Sequence, residues 1–66
     1  MKIVKMSERH PNWYVNVFVK YTLHYQDFWT RGYFNNGIWT VMLWSGQVTC
    51  PIEYINEWME IPNINA

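Results

Sequence analysis

Asn35-Asn36-Gly37, set between two aromatic-rich, β-prone runs within Asp27–Ser45, is the feature that most narrows the folds open to this chain. A two-residue type I′ turn needs positive φ at both central residues, which Gly adopts freely and Asn tolerates better than most. With Asn36-Gly37 as the loop, Asn35 pairs with Ile38, Phe34 with Trp39, Tyr33 with Thr40, Arg31 with Met42 and Trp29 with Trp44. One face then carries Phe28, Thr30, Gly32, Phe34, Trp39, Val41 and Leu43, and the other Trp29, Arg31, Tyr33, Thr40, Met42 and Trp44. A three-residue loop with a bulge at Gly37 would shift the register by one. Either way both faces are aromatic, whereas a small domain has one core. The surplus of rings is the first functional clue.

How large that surplus is follows from length. Residues 1–66 are expected to form a single domain, and a chain this short buries only about 60% of the surface its unfolded form exposes. Small domains compensate with disulfides, a metal or a second copy of themselves. Cys50 is the only cysteine, so an intrachain disulfide and a zinc-knuckle spacing are both excluded. Dense aromatic packing and self-association are left. Five tryptophans and five tyrosines exceed what one small core holds, so some rings are expected at the surface, where they favour interfaces. A homo-oligomer is therefore expected.

Charge is balanced overall but not along the chain. Residues 1–33 set Lys2, Lys5, Arg9, Lys20 and Arg31 against Glu8 and Asp27, whereas residues 34–66 carry Glu53, Glu57 and Glu60 and no cation. Too few clustered cations exist for a duplex nucleic-acid footprint, and single-stranded nucleic acid is disfavoured on the same ground. The simplest expectation is that the first and last segments neutralise each other within the fold. The first ten residues lack the apolar core of a signal peptide, and no apolar run approaches the roughly 20 residues of a membrane span. With a lone thiol as well, the chain reads as soluble and cytoplasmic, with no membrane partner.

In chain order, Lys2–Met6 reads as an edge strand guarded by lysines, and His10-Pro11-Asn12 as a loop. Tyr14–Tyr25 alternates with period two and is the clearest strand, with Val15, Val17, Val19 and Leu23 assigned to the core. Gln26-Asp27 is expected to turn into the hairpin, and Ser45-Gly46-Gln47 to end it. The fold class is mainly β, a small antiparallel meander of three to four strands. Residues 51–61 are open at this level. Ile52, Ile55, Trp58 and Met59 would share a helix face opposite the glutamates, and the pattern alone leans to a short helix, against which stand Glu57 and Glu60 at the negative end of the dipole and the limit set by Pro62. Asn63–Ala66 is expected to fray.

Chemistry finds little support in the pattern. Cys50 with His24 or His10 lacks any sign of an activated thiol, no ligand spacing suits a metal, and the three glycines form no phosphate loop. No catalytic residue, metal or cofactor is assigned, and the chain reads as non-enzymatic. The candidate site is instead Trp29, Arg31, Tyr33 and Trp44, joined by His24 on the neighbouring strand. Rings beside an Arg suit a protein hot spot, a flat nucleotide-like ligand, or an interface between copies.

Several short motifs resemble the small phage and prophage proteins grouped as domain-of-unknown-function family 551. They are Met6-Ser7-Glu8-Arg9-His10-Pro11, Val15-Asn16-Val17-Phe18-Val19, Tyr33-Phe34 with Gly37-Ile38-Trp39, and Ile55-Asn56-Glu57-Trp58-Met59-Glu60-Ile61-Pro62. The chain departs from that family's pattern in having Val4 or Lys5 near its early Trp, Glu57 for its late His and Glu60 for its late Pro. The resemblance implies a small β-rich protein of phage or prophage origin with no assigned chemistry. It also tilts residues 51–61 toward a short strand, the short amphipathic helix being the alternative. Together these readings predict a non-enzymatic binding protein of the host-cell cytoplasm that blocks or sequesters a host target, first a defence protein and second a nucleotide-like signalling molecule.

Overall fold

A computed structural model describes residues 2–62; the expected fraying of Asn63–Ala66 lies outside them. The strands are β1 (Ile3–Lys5), β2 (Val17–Leu23), β3 (Gln26–Asn35), β4 (Ile38–Leu43), β5 (Gly46–Pro51) and β6 (Glu57–Glu60), with a 3-10 turn at Ile52–Tyr54. They form one antiparallel sheet in the order β1-β6-β2-β3-β4-β5. The class is mainly β as the alternation predicted, with six strands among the described residues rather than three or four.

The two-residue loop at Asn36-Gly37 forms, with φ of 48° and 84°, and sets Asn35 against Ile38, Phe34 against Trp39 and Tyr33 against Thr40. The ladder ends at Gly32 and Val41, so Arg31–Met42 and Trp29–Trp44 do not pair as expected. Instead the Thr30 hydroxyl donates to the Met42 carbonyl at 2.6 Å. Gly32 is the cause. A Cβ there would lie 2.8 Å from the Thr40 carbonyl oxygen, so only glycine lets β4 approach this closely.

Other boundaries also moved. β2 begins at Val17, because the chain turns at Tyr14, whose φ is 65°. Val15 and Leu23, assigned to the core, are exposed, while Val17 and Val19 are buried as expected. The β2–β3 turn is His24-Tyr25, both in the left-handed region (φ 51° and 65°), rather than Gln26-Asp27. A bulky residue is strained there. Replacing Tyr25 by Gly is therefore expected to stabilise the fold by about 1 kcal/mol, read as a higher urea midpoint at unchanged slope. The third strand of the meander ends at Leu43, close to the expected Ser45-Gly46-Gln47, but the chain goes on into a further strand. A turn at Trp44-Ser45 leads into β5, which opens on Gly46 at φ 121°.

Of residues 51–61 only Glu57–Glu60 form the expected strand, β6; Ile52–Tyr54 make a 3-10 turn, and the amphipathic helix does not form. β6 inserts between β1 and β2, so the chain must return from one edge of the sheet nearly to the other. Four strand spacings span about 19 Å in a flat sheet. The connection from Pro51 to Glu57 reaches only about 16 Å when three residues are in a 3-10 turn. The sheet is therefore curled, and the turn closes its concave side. Tyr54 donates its hydroxyl to the Thr22 carbonyl at 2.9 Å and packs its ring 5.3 Å from Tyr21, while Ile55 is buried beneath.

The concave core comprises Val4, Val17, Val19, Tyr21, Phe34, Trp39, Val41, Ile55 and Trp58. The β1–β2 loop caps it from the other side. Arg9 lies over the Trp58 ring at 4.8 Å and accepts the indole N–H on its carbonyl at 3.1 Å, and His10 packs edge-on to Phe34 at 5.2 Å. Trp39 Nε1 is buried without a hydrogen-bond partner among the described residues, a cost of about 1–3 kcal/mol that burial of the ring outweighs. The opposite charges of the two chain halves meet as expected. Arg9 pairs with Glu60 at 3.2 Å, and Lys20 with Glu57 at 3.3 Å.

Candidate functional site

Among the described residues, no second layer covers the convex face of the curled sheet. Alternation along β3 puts Trp29, Arg31 and Tyr33 on that face, since Phe28, Thr30, Gly32 and Phe34 turn inward. The ladders extend the patch sideways. Arg31 stands opposite Phe18, Phe18 opposite Met59, and Met59 opposite Ile3, so an apolar row runs from the β1 edge to one guanidinium. Trp29 stands opposite Lys20, and Tyr33 opposite Thr40.

Lys20 and Arg31, the cations of this face on β2 and β3, differ in freedom. Lys20 is held between Glu57 at 3.3 Å and Asp27 at 3.8 Å, the latter also accepting from the Thr22 hydroxyl. These groups line a polar depression of about 480 Å³ at the β1–β6–β2 end. Arg31 is exposed and, among the described residues, has no carboxylate partner. Tyr33 is half-buried and lies 5.8 Å from the Tyr14 ring, whose hydroxyl accepts from Asn35 at 2.7 Å.

The expected site is thus partly assembled. Trp29, Arg31 and Tyr33 share one surface. Trp44 is fully exposed at the β4–β5 turn, beside an apolar depression of about 400 Å³ with Leu23, Phe28 and Leu43. His24 occupies the tip of the β2–β3 turn instead of the strand assigned to it. Neither joins the β3 row, because a turn residue no longer follows the strand's alternation. Phe18 was legible as a member of the outer face from its own alternation. Met59 and Ile3 required long-range pairing that no local pattern carries.

Burial pushes the Cys50 thiol up from its ordinary value of 9.0, the reverse of what an activated nucleophile needs. The Tyr21 hydroxyl is raised from 10.0, chiefly by burial and then by Tyr54. A raised folded-state pKa on a group that is neutral when protonated adds stability below the unfolded value and loses it as pH climbs toward the folded one. Thermal stability is accordingly expected to fall above about pH 9, with Cys50→Ser flattening the first part of that decline in a melting-temperature series. Among the described residues no His, Cys, Asp and Glu side chains group to hold a metal, and no helix is long and apolar enough to cross a membrane.

The fold and surface define a class, a small curled-sheet β protein with an uncovered aromatic and arginine face. No protein-family model, curated protein or solved structure matches the chain.

Proposed function

We propose that the protein is a non-enzymatic, phage-type binding protein that uses its convex face to block or sequester a host protein, a defence component in the first place. It works in the host-cell cytoplasm and as a homo-oligomer. One observation carries this reading. Trp29, Arg31 and Tyr33 alternate along one strand outside the core, and Arg31 has no partner in the described chain. Trp, Tyr and Arg are the residues that dominate protein interfaces, and an unpaired guanidinium beside apolar rings is ready to fork onto a partner's carboxylate. The nucleotide-like ligand is the weaker reading. The three side chains stand in line on a convex surface, and Tyr33 is already against Tyr14, so no two open rings face each other to sandwich a base.

The test is capture from a lysate of the bacterial host, with wild-type protein and Arg31→Glu immobilised side by side. A protein retained by the first and lost from the second is the expected result. Equal retention, or an empty eluate from folded wild-type bait, contradicts it. Unchanged tryptophan emission across a nucleotide panel removes the second reading.

A further inference from the structure

The two edges of the sheet differ in protection. β1 has three residues, is preceded by Lys2 and ends on Lys5, and these lysines discourage pairing with another strand. β5 has six residues, Gly46–Pro51, and carries no charged side chain. Among the described residues, no strand other than β4 pairs with it, and no backbone hydrogen bond from a loop reaches it.

Pro51 fixes which groups that edge presents. It stands opposite Ile38 and has no N–H, so this pair is a non-hydrogen-bonded one. Alternation then makes Thr49 and Gln47 non-hydrogen-bonded toward β4 as well, with their N–H and C=O groups turned outward. Both residues are exposed.

We propose that β5 pairs antiparallel with β5 of a second copy, about a twofold axis at Val48, to give one continuous twelve-stranded sheet. In this register Gln47 of each copy exchanges both backbone hydrogen bonds with Thr49 of the other. A register shifted to put Thr49 on the axis matches Gln47 with Pro51, which cannot donate. The twofold sets a neutral polar side chain against another and valine against valine, with no like charges to repel. It also puts Trp44 of one copy level with Ile52 of the other, four residues either side of the axis, giving the fully exposed indole an apolar neighbour. That self-complementarity selects a second copy over a foreign strand.

The pairing specifies where the homo-oligomer of the proposed function is built, and it rests on that part of the reading alone. The convex faces stay free and lie side by side on one surface, so a bivalent target would be held by both.

Two variants test it. Val48→Cys with Cys50→Ser places one thiol on the axis, where opposed Cα atoms of a non-hydrogen-bonded pair lie about 4.5 Å apart, within disulfide reach. Treatment with oxidised glutathione is expected to convert most of it to covalent dimer. Wild-type Cys50, opposite Gly46 of the second copy, is expected to give none. Thr49→Pro deletes only an outward N–H and is expected to halve the mass seen by light scattering, with an unchanged circular-dichroism spectrum. If that variant unfolds, Gln47→Lys with Thr49→Lys supplies the same readout by charge. A wild-type monomer at high micromolar concentration, or a folded Val48→Cys variant that does not cross-link, overturns the proposal. So does a dimer that survives Thr49→Pro, which would leave the host-protein reading of the convex face intact.

Discussion

Trp58→Ala is expected to leave the chain largely unfolded at room temperature. Trp58 stands on β6 between Val4 and Val19, 1% exposed, and joins the last strand to both neighbours through the core. Its ring also carries the Arg9 guanidinium, and its N–H satisfies the Arg9 carbonyl, so the β1–β2 cap depends on the same side chain. Truncating a buried Trp costs about 3–5 kcal/mol. A chain of 66 residues has about 3–10 kcal/mol to lose. Loss of the cooperative urea transition by far-UV circular dichroism is the expected result. A transition displaced by less than about 1 kcal/mol would mean that the cap and β6 contribute little to the fold.

Gly32→Ala is the second large effect, and its sign is the informative part. In an ordinary strand the exchange stabilises by several tenths of a kcal/mol, because glycine loses more chain entropy on folding. Here the new methyl would meet the Thr40 carbonyl at 2.8 Å, and backbone has no rotamer with which to move aside. A loss of about 1–3 kcal/mol is expected, seen as a lower urea midpoint at unchanged slope. A gain would show that β3 and β4 can separate at this point without cost, and that the curl of the sheet does not depend on glycine.

Residues 32–41 show where sequence is a sufficient guide. The Asn36-Gly37 loop and the alternation around it specify register, inner face and outer face through local rules alone, and the buried Phe34, Trp39 and Val41 follow. The pairing expected beyond Gly32 failed because it was extended as though the sheet were flat. The turn at His24-Tyr25 was hidden because neither residue is a usual occupant of left-handed backbone. β5 was hidden too, since Gln47, Val48, Thr49 and Cys50 carry little hydrophobic alternation and form a strand by adding to β4. The last segment divided between turn and strand for a topological reason. β6 exists only because β1 and β2 leave a place between them. Of the expected site, the three residues on β3 stayed together because one strand positions them, while Trp44 and His24 went to turns.

The central claim is that the convex face serves binding and not folding. The most direct measurement pairs a thermal melt with a titration of the captured host protein, on wild type and on Trp29→Ala with Arg31→Ala. The double variant is expected to melt with a stability loss of about 1 kcal/mol or less, as surface substitutions do. Its affinity is expected to fall at least about 30-fold, as removal of a Trp and Arg hot spot does. A melt displaced by as much as that of a core truncation, with affinity unchanged, would contradict the claim.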